Sequence, residues 1–286
     1  MESVLITGGS GMLAIAMAEV FSNNFCVLNP DKTEMDITNR NCVNKVFEQF
    51  KPNYVIHTAA ITNVDFCEEF PELALQVNEK GTENIAYYSE KFQAKMVYIS
   101  SCGLFGDEVR PYRETDEVQL KTQYAKSKYL GEIKVKDNCS RYFIVRPGWL
   151  FGGTKEHKKN FVYNRYLEAQ KKNEIESAVD KFGCPTYTKH LAEKILVLMK
   201  TDYFNIYHIT NNGYCSRYEY VKKIISCFDN LKTVVKETDS SSFVRKAPVP
   251  DCEILENYNL KDQGFNLLPD WQVGIEEYIL KLKKSI

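Results

Sequence analysis

Apolar residues follow two alternating spacings along the first half of the chain. Val4-Leu5-Ile6 is a short unbroken apolar run, followed by Thr7-Gly8-Gly9-Ser10-Gly11 and then by helix-favouring residues from Met12 to Phe21. Short apolar runs bounded by turn residues predict buried strands; longer stretches with apolar positions three and four apart predict helices. The two signals recur in order. Strands are expected at Phe25–Asn29, Tyr54–His57, Val97–Ile99 and Tyr142–Arg146. Between them fall a helix from Arg40 to Phe50, stopped by Lys51-Pro52, and a long amphipathic helix from Pro71 to Phe92. A turn-rich loop, Gly103 to Glu117, leads into a helix that carries Tyr124 and Lys128. This alternation predicts an α/β fold, a Rossmann-type doubly wound parallel sheet covered on both faces.

Beyond Trp149 the pattern loosens. Helices are predicted at 160–172, 188–200 and 216–227, strands at 206–209 and 233–237, and loops around Ser240-Ser241-Ser242 and Pro248. The tail from Gly274 to Lys284 reads as a basic amphipathic helix packed on the body. The change of texture suggests a dinucleotide-binding domain at 1–147 and 183–211 and a smaller substrate-binding lobe at 148–182 and 212–286.

Composition narrows the class. The 286 residues are 44% apolar and 26% charged, with a net charge of −1, so a nucleic-acid surface is not expected. No apolar run is long enough to span a bilayer, and no membrane partner is expected. Nine scattered cysteines with no C-x-x-C pair read as reduced thiols, and the expected location is cytoplasmic. His57, His157, His190 and His208 show no ligand spacing, so no metal is expected.

Two stretches carry candidate chemistry. Gly8 and Gly11, between a strand and a helix start, suit a turn that brings backbone N–H groups against a pyrophosphate; Ala14, in the third position of the pattern, suits close helix–strand packing. At the end of the second strand come Asn29, Pro30, Asp31 and Lys32. Asp31 could reach a ribose, or Lys32 a 2′-phosphate, so the cofactor is NADH or NADPH. Thr58-Ala59-Ala60 at the next strand end either leaves room for the cofactor or is a close-packed turn. Tyr124 and Lys128 lie one turn apart on one helix face, and an ammonium beside a phenol would lower its pKa for acid–base work. The spacing alone is not specific, since Tyr218 and Lys222 share it. What sets Tyr124 apart is the upstream strand ending in Ser100-Ser101, whose hydroxyl could bind the same substrate oxygen.

The glycine turn, the serine and the Tyr-x-x-x-Lys together resemble the extended short-chain dehydrogenase/reductase superfamily, and within it the dTDP-4-dehydrorhamnose reductases. Ala59-Ala60-Ile61-Thr62-Asn63-Val64-Asp65, Arg146-Pro147-Gly148-Trp149, Lys159-Asn160-Phe161, Asp180 to Tyr187 and Leu268-Pro269-Asp270-Trp271 carry the likeness over nearly the whole chain. It implies reduction of the C4 ketone of a nucleotide-linked 4-keto-6-deoxy sugar, with Tyr124 as acid, Lys128 and Ser101 as its partners, and a homodimer as a compatible assembly. It also implies cofactor contacts at Gly8, Ser10, Gly11, Met12, Leu13, Asn29, Asp36, Ile37, Ala59 and Ala60, and substrate contacts at Val64, Ser100, Ser101, Trp149 and Asn160. The chain departs from the family's Thr-Asp-Tyr-Val-Phe at Ser101-Cys102-Gly103-Leu104-Phe105, and from its Arg-Pro followed by Ser at Val249-Pro250 with Glu253. Ser-Ser-Cys resembles the bifunctional 3,5-epimerase/4-reductases, in which Cys102 would be an acid and His157, Lys155, Lys158 or Lys159 a base. A third expectation is a non-catalytic dinucleotide-binding regulatory subunit, against which the intact Ser/Tyr/Lys set speaks.

Overall fold

The computed structural model describes all 286 residues. The first half builds strands β1 (Ser3–Thr7), β2 (Cys26–Leu28), β3 (Tyr54–His57), β4 (Lys95–Ile99) and β5 (Tyr142–Arg146). Its helices are α1 (Met12–Phe21), α2 (Arg40–Phe50), α3 (Val64–Glu69), α4 (Pro71–Leu75), α5 (Thr82–Lys91) and α6 (Gln123–Asn138). The remainder contributes strands β6 (Trp149–Phe151), β7 (Glu174–Ala178), β8 (Phe182–Gly183), β9 (Pro185–Tyr187), β10 (Ile206–His208), β11 (Cys215–Ser216), β12 (Val234–Thr238) and β13 (Cys252–Glu253). With them come α7 (Phe161–Ala169), α8 (Thr188–Leu198), α9 (Arg217–Ser226), α10 (Tyr258–Asp262) and α11 (Trp271–Lys283).

Six strands form one parallel sheet in the order β10-β5-β4-β3-β1-β2. Strand order reverses direction between β1 and β3, and the crevice at that switch point is where a doubly wound sheet takes its ligand. Leu13, Met17 and Phe21 of α1 and Leu191, Ile195 and Leu198 of α8 bury one face; Val43, Phe47, Ile85 and Val135 bury the other. The expected Rossmann-type fold is therefore observed. The lobe has its own core, in which Trp149, Phe151, Tyr220, Trp271 and Tyr278 pack together. Two small pairings, β6 with β9 and β7 with β12, and the three strands β11-β8-β13 support it.

The long helix expected from Pro71 to Phe92 is interrupted. Residues Gln76–Gly81 form a π-helical turn between α4 and α5. Within it the Asn78 amide is fully used: it accepts from Ile61 N at 2.8 Å and donates to Ile61 O at 3.0 Å and to Ser127 Oγ at 2.9 Å. The wider turn thus aims one side chain at both the β3 loop and α6, a use typical of such turns near functional sites.

Candidate active site

A cavity of about 1270 Å³ runs from the carboxyl ends of β1 and β3 across β4 and into the lobe. Its first wall is the glycine turn. Gly8 has φ +75°, and a Cβ there would lie 2.9 Å from the Ala59 backbone, so only glycine lets β1 leave the sheet this close to β3. Gly11 caps α1 with no side chain to satisfy the helix N–H groups, which leaves those donors directed at the cavity. Ser10, Met12, Leu13, Asp36, Ile37, Ala59 and Ala60 share this wall. An open, uncapped helix start with small residues facing it fits a dinucleotide pyrophosphate.

The second wall is built by β4 and α6. Ser100 and Ser101 stand at the end of β4, and Ser101 Oγ accepts from Gly103 N at 3.1 Å, which keeps its own hydrogen free to donate. Tyr124 and Lys128 enter from α6, whose first turn is fixed twice: Thr122 accepts from Ala125 N at 3.0 Å, and Glu68 Oε1 accepts from Gln123 N at 2.7 Å. The lysine was expected to lower the Tyr124 pKa. Instead burial pushes the phenol up, while a hydrogen-bonding contact with Ser101 pulls it down. The phenol is thus protonated at neutral pH and ready to donate. Lys128 is brought down to about 7 by burial, partly opposed by Glu132, and its ammonium lies 4.3 Å from the centre of the Tyr98 ring. His57 below them stays neutral, lowered to about 3 by burial and by Lys128, and its ring bridges Thr7 Oγ1 at 2.7 Å and Thr82 Oγ1 at 3.0 Å.

The third wall belongs to the lobe. Lys158, Lys159, Arg165, Lys181, Arg217 and Arg245 face the cavity against Glu176 and Glu253, an excess of cations suited to an anionic ligand. The Arg217 guanidinium stacks 3.4 Å from the centre of the Trp149 ring, and the indole N–H donates to Glu253 Oε2 at 2.6 Å. Sequence reasoning missed Arg217 and Glu253 as site residues. The available signals were the Ser216/Glu219 capping box that starts α9, and the departure from the family pattern at 253.

Three expected site residues fall elsewhere. Asn29 turns beneath the glycine turn, where its Nδ2 donates to Gly9 O at 3.3 Å. Asn160 is fully buried as the cap of α7, accepting from Tyr163 N at 3.1 Å and donating to Thr154 O and the Tyr278 hydroxyl. It is committed to the helix start and not to a ligand. Cys102 is buried behind Ser101 and off the cavity wall; its thiol donates to Glu253 Oε1 at 3.4 Å, and burial first, then Glu253, drives its pKa well up. His157 does reach the cavity with Val64 and Trp149. However, Thr154 N donates to its Nδ1 at 3.0 Å, so the neutral ring carries its proton on Nε2 and presents a donor, not a base.

Solved structures share this fold along their full length. The dTDP-4-dehydrorhamnose reductase of Bacillus anthracis, solved in complex with NADP, matches with a TM-score of 0.93 at 35% identity, covering 98% of this chain and 99% of that one. The Clostridium acetobutylicum dTDP-4-dehydrorhamnose reductase ortholog matches at 0.94 and 33%, with the same coverage. Among characterised sequences, the spore coat polysaccharide biosynthesis protein SpsK of Bacillus subtilis is 31% identical over 98% of this chain and 97% of its own length. A dTDP-4-dehydrorhamnose reductase of Aggregatibacter actinomycetemcomitans is 30% identical over 96% of this chain and 98% of its own. With the RmlD substrate binding domain model matching residues 1–284, the chain belongs to that family, a branch of the extended short-chain dehydrogenase/reductase fold.

Proposed function

We propose that the protein reduces the C4 ketone of a nucleotide-linked 4-keto-6-deoxy sugar, with dTDP-4-dehydrorhamnose as the first substrate to test. The observation that carries this reading is the convergence of Ser101, Tyr124 and Lys128 on one cavity that also holds an uncapped helix start and a cationic lobe wall. The lobe cations suit the diphosphate of a sugar nucleotide, and the glycine turn suits that of a dinucleotide. When bound, NAD(P)H supplies the hydride.

The protein's own residues do the rest. The Ser101 hydroxyl donates to the carbonyl oxygen and fixes its direction; its oxygen accepts from Gly103 N, which leaves the hydrogen to point elsewhere. Tyr124, protonated by virtue of its burial, donates its proton to the same oxygen as charge develops there. Lys128, lowered to about 7 by burial, would hold the ribose hydroxyls of the cofactor when charged and would lend its field to the phenolate that Tyr124 becomes. The stacked Trp149 and Arg217 form a platform for the sugar nucleotide. For a 3,5-epimerase function the geometry leaves Lys158 and Lys159 on the cavity wall as candidate bases, but Cys102, the expected acid, lies behind the wall and His157 offers no free base. All nine cysteines are unpaired, which supports a cytoplasmic setting.

The test is to offer dTDP-, UDP- and GDP-linked 4-keto-6-deoxyhexoses, already epimerised at C3 and C5, with NADPH or NADH, and to identify products by NMR. No 4-hydroxyl product from any of them would overturn the reading.

A further inference from the structure

Between the 3₁₀ turn at Ser240–Ser242 and β13, residues 243–250 form no helix or strand. Phe243, Arg245, Ala247, Pro248 and Val249 of this segment nevertheless line the cavity, on the same lobe wall as Arg217 and Glu253. Its two roots are pinned within the lobe. Asp180 accepts from Ser240 N at 3.0 Å and from Ser240 Oγ at 2.6 Å, while Lys181 donates to Val249 O at 3.2 Å and pairs with Asp251.

The middle of the segment is held from across the cleft. Asp65, in the first turn of α3, accepts through Oδ1 from Lys246 N at 3.2 Å and from Ala247 N at 3.0 Å. Ala247 is buried, so its N–H has no water to turn to if the carboxylate is lost. A second link, Lys246 Nζ to Glu69 Oε2 at 2.6 Å, joins two exposed side chains and adds little. The same short helix holds the start of α6 through a different side chain, Glu68 on Gln123 N. Helix α3 is therefore a bracket between the helix that carries Tyr124 and a segment that walls the lobe half of the cavity.

We propose that Asp65 is a positioning residue for the substrate: by holding Lys246 and Ala247 it keeps residues 243–250 in place as a wall of the sugar-nucleotide half of the cavity. The substrate part of this rests on the reductase reading above. Asp65 does not itself line the cavity, so it acts through the segment. Hydrogen bonds to a charged acceptor are worth roughly tenfold to a hundredfold, and the half-buried setting of Asp65 puts the effect near the lower end. Because Glu68 holds α6 independently, the loss falls on substrate binding and not on proton donation.

Two measurements on the full chain test the assignment. Trypsin cleavage after Arg245 and Lys246, followed by mass spectrometry, reads how often the segment opens and needs no substrate. Asp65→Ala is cut roughly tenfold faster at these two bonds than wild type, Asp65→Asn and Glu69→Gln within about threefold of it, since asparagine still offers an acceptor oxygen. In steady-state reduction of dTDP-4-dehydrorhamnose, Asp65→Ala raises KM roughly tenfold with kcat within a few-fold and NADPH affinity unchanged, and Asp65→Asn restores the wild-type KM. Wild-type cleavage rates in Asp65→Ala overturn the latch. An unchanged KM, an equal loss of NADPH affinity, or no rescue by asparagine overturns the positioning role. A wild-type protein that reduces no 4-keto sugar nucleotide overturns the reductase reading and the substrate role with it, and the cleavage rates still decide the latch.

Discussion

Replacing Lys128 by methionine should stabilise the protein while removing its activity, and the stabilisation should depend on pH in a defined direction. The Lys128 side chain is 2% exposed, and burial lowers its pKa from 10.5 to about 7. At about 1.4 kcal/mol per pH unit, the fold disfavours the charged lysine by roughly 5 kcal/mol relative to the unfolded chain. Below pH 7 the lysine is protonated in both states, and this penalty is present in full. Between pH 7 and 10.5 the unfolded chain binds the extra proton, so wild-type stability rises with pH and the penalty fades. Methionine has similar length, no charge and a flexible thioether that can fill the same space under Tyr98. Lys128→Met should therefore exceed wild type by roughly 5 kcal/mol at pH 6 and by roughly 1 to 2 kcal/mol at pH 9.5. Because both proteins carry the same other titrating groups, their contributions cancel in the difference. His57, already lowered to about 3, stays neutral throughout this range. Urea unfolding is followed by far-UV circular dichroism and by the fluorescence of Trp149 and Trp271, which both lie in the lobe core, so coincident transitions check that the two parts unfold together. A variant no more stable than wild type at pH 6, or an advantage that does not shrink by pH 9.5, would refute the burial argument.

Tyr124→Phe removes only the proton donor, so cofactor affinity should be unchanged and turnover should fall by roughly 10²–10⁴-fold in a coupled NADPH-consumption assay. Gly11→Val should keep its fold by circular dichroism, because a Cβ at Gly11 meets only Gly8 O at 3.2 Å, yet lose dinucleotide binding by titration calorimetry. Cys102→Ser should retain reduction within a few-fold, and neither it nor wild type should incorporate solvent deuterium at C3 or C5, as measured by mass spectrometry in D₂O.

The sheet was legible because its signals are local. The runs at Val4-Leu5-Ile6, Tyr54–His57, Val97–Ile99 and Tyr142–Arg146 are buried almost throughout, the edge strand β2 less so, and the turn residues that bound each strand are in the sequence itself. The bounds of α1, α2, β3 and β5 agree with expectation to the residue. The lobe was less legible because its strands are two to five residues long and pair across large sequence distances, as Cys252 does with Phe182 and Val234 with Glu174. No periodicity develops in so few residues. The same reason hid Glu253: its role depends on Trp149, which lies 104 positions away. Asn29 and Asn160 were misread because a short polar side chain near a turn or helix start serves the backbone as readily as a ligand, and only geometry separates the two.

Helix α6 shows why the helix of the sheet domain with the most polar buried face is also the one that carries the chemistry. Its buried stripe runs Ala125, Ser127, Lys128, Gly131, Glu132, Val135, with Tyr124 half-buried at its head, spaced three and four apart as burial requires but largely polar. Apolar residues at those positions would satisfy packing alone. Here most of the polar groups find partners that fix the rotation of the helix, and the Lys128 ammonium is left to the cavity and the Tyr98 ring. Ser127 receives the Asn78 amide; the Tyr98 hydroxyl donates to Lys128 O at 3.1 Å; Glu132 binds Arg146 at 2.8 and 2.7 Å through two parallel bonds, both side chains buried. Gly131 permits the approach, since a Cβ there would lie 2.3 Å from the Tyr98 hydroxyl. A buried ion pair adds little net stability over a well-packed apolar pair, but removing one partner strands the other, so one rotation of the helix keeps Glu132 on Arg146. That rotation directs Tyr124 and Lys128 into the cavity beside Ser101. The helix thus gives up hydrophobic packing for a fixed direction, which is what a proton donor serving one carbonyl oxygen requires.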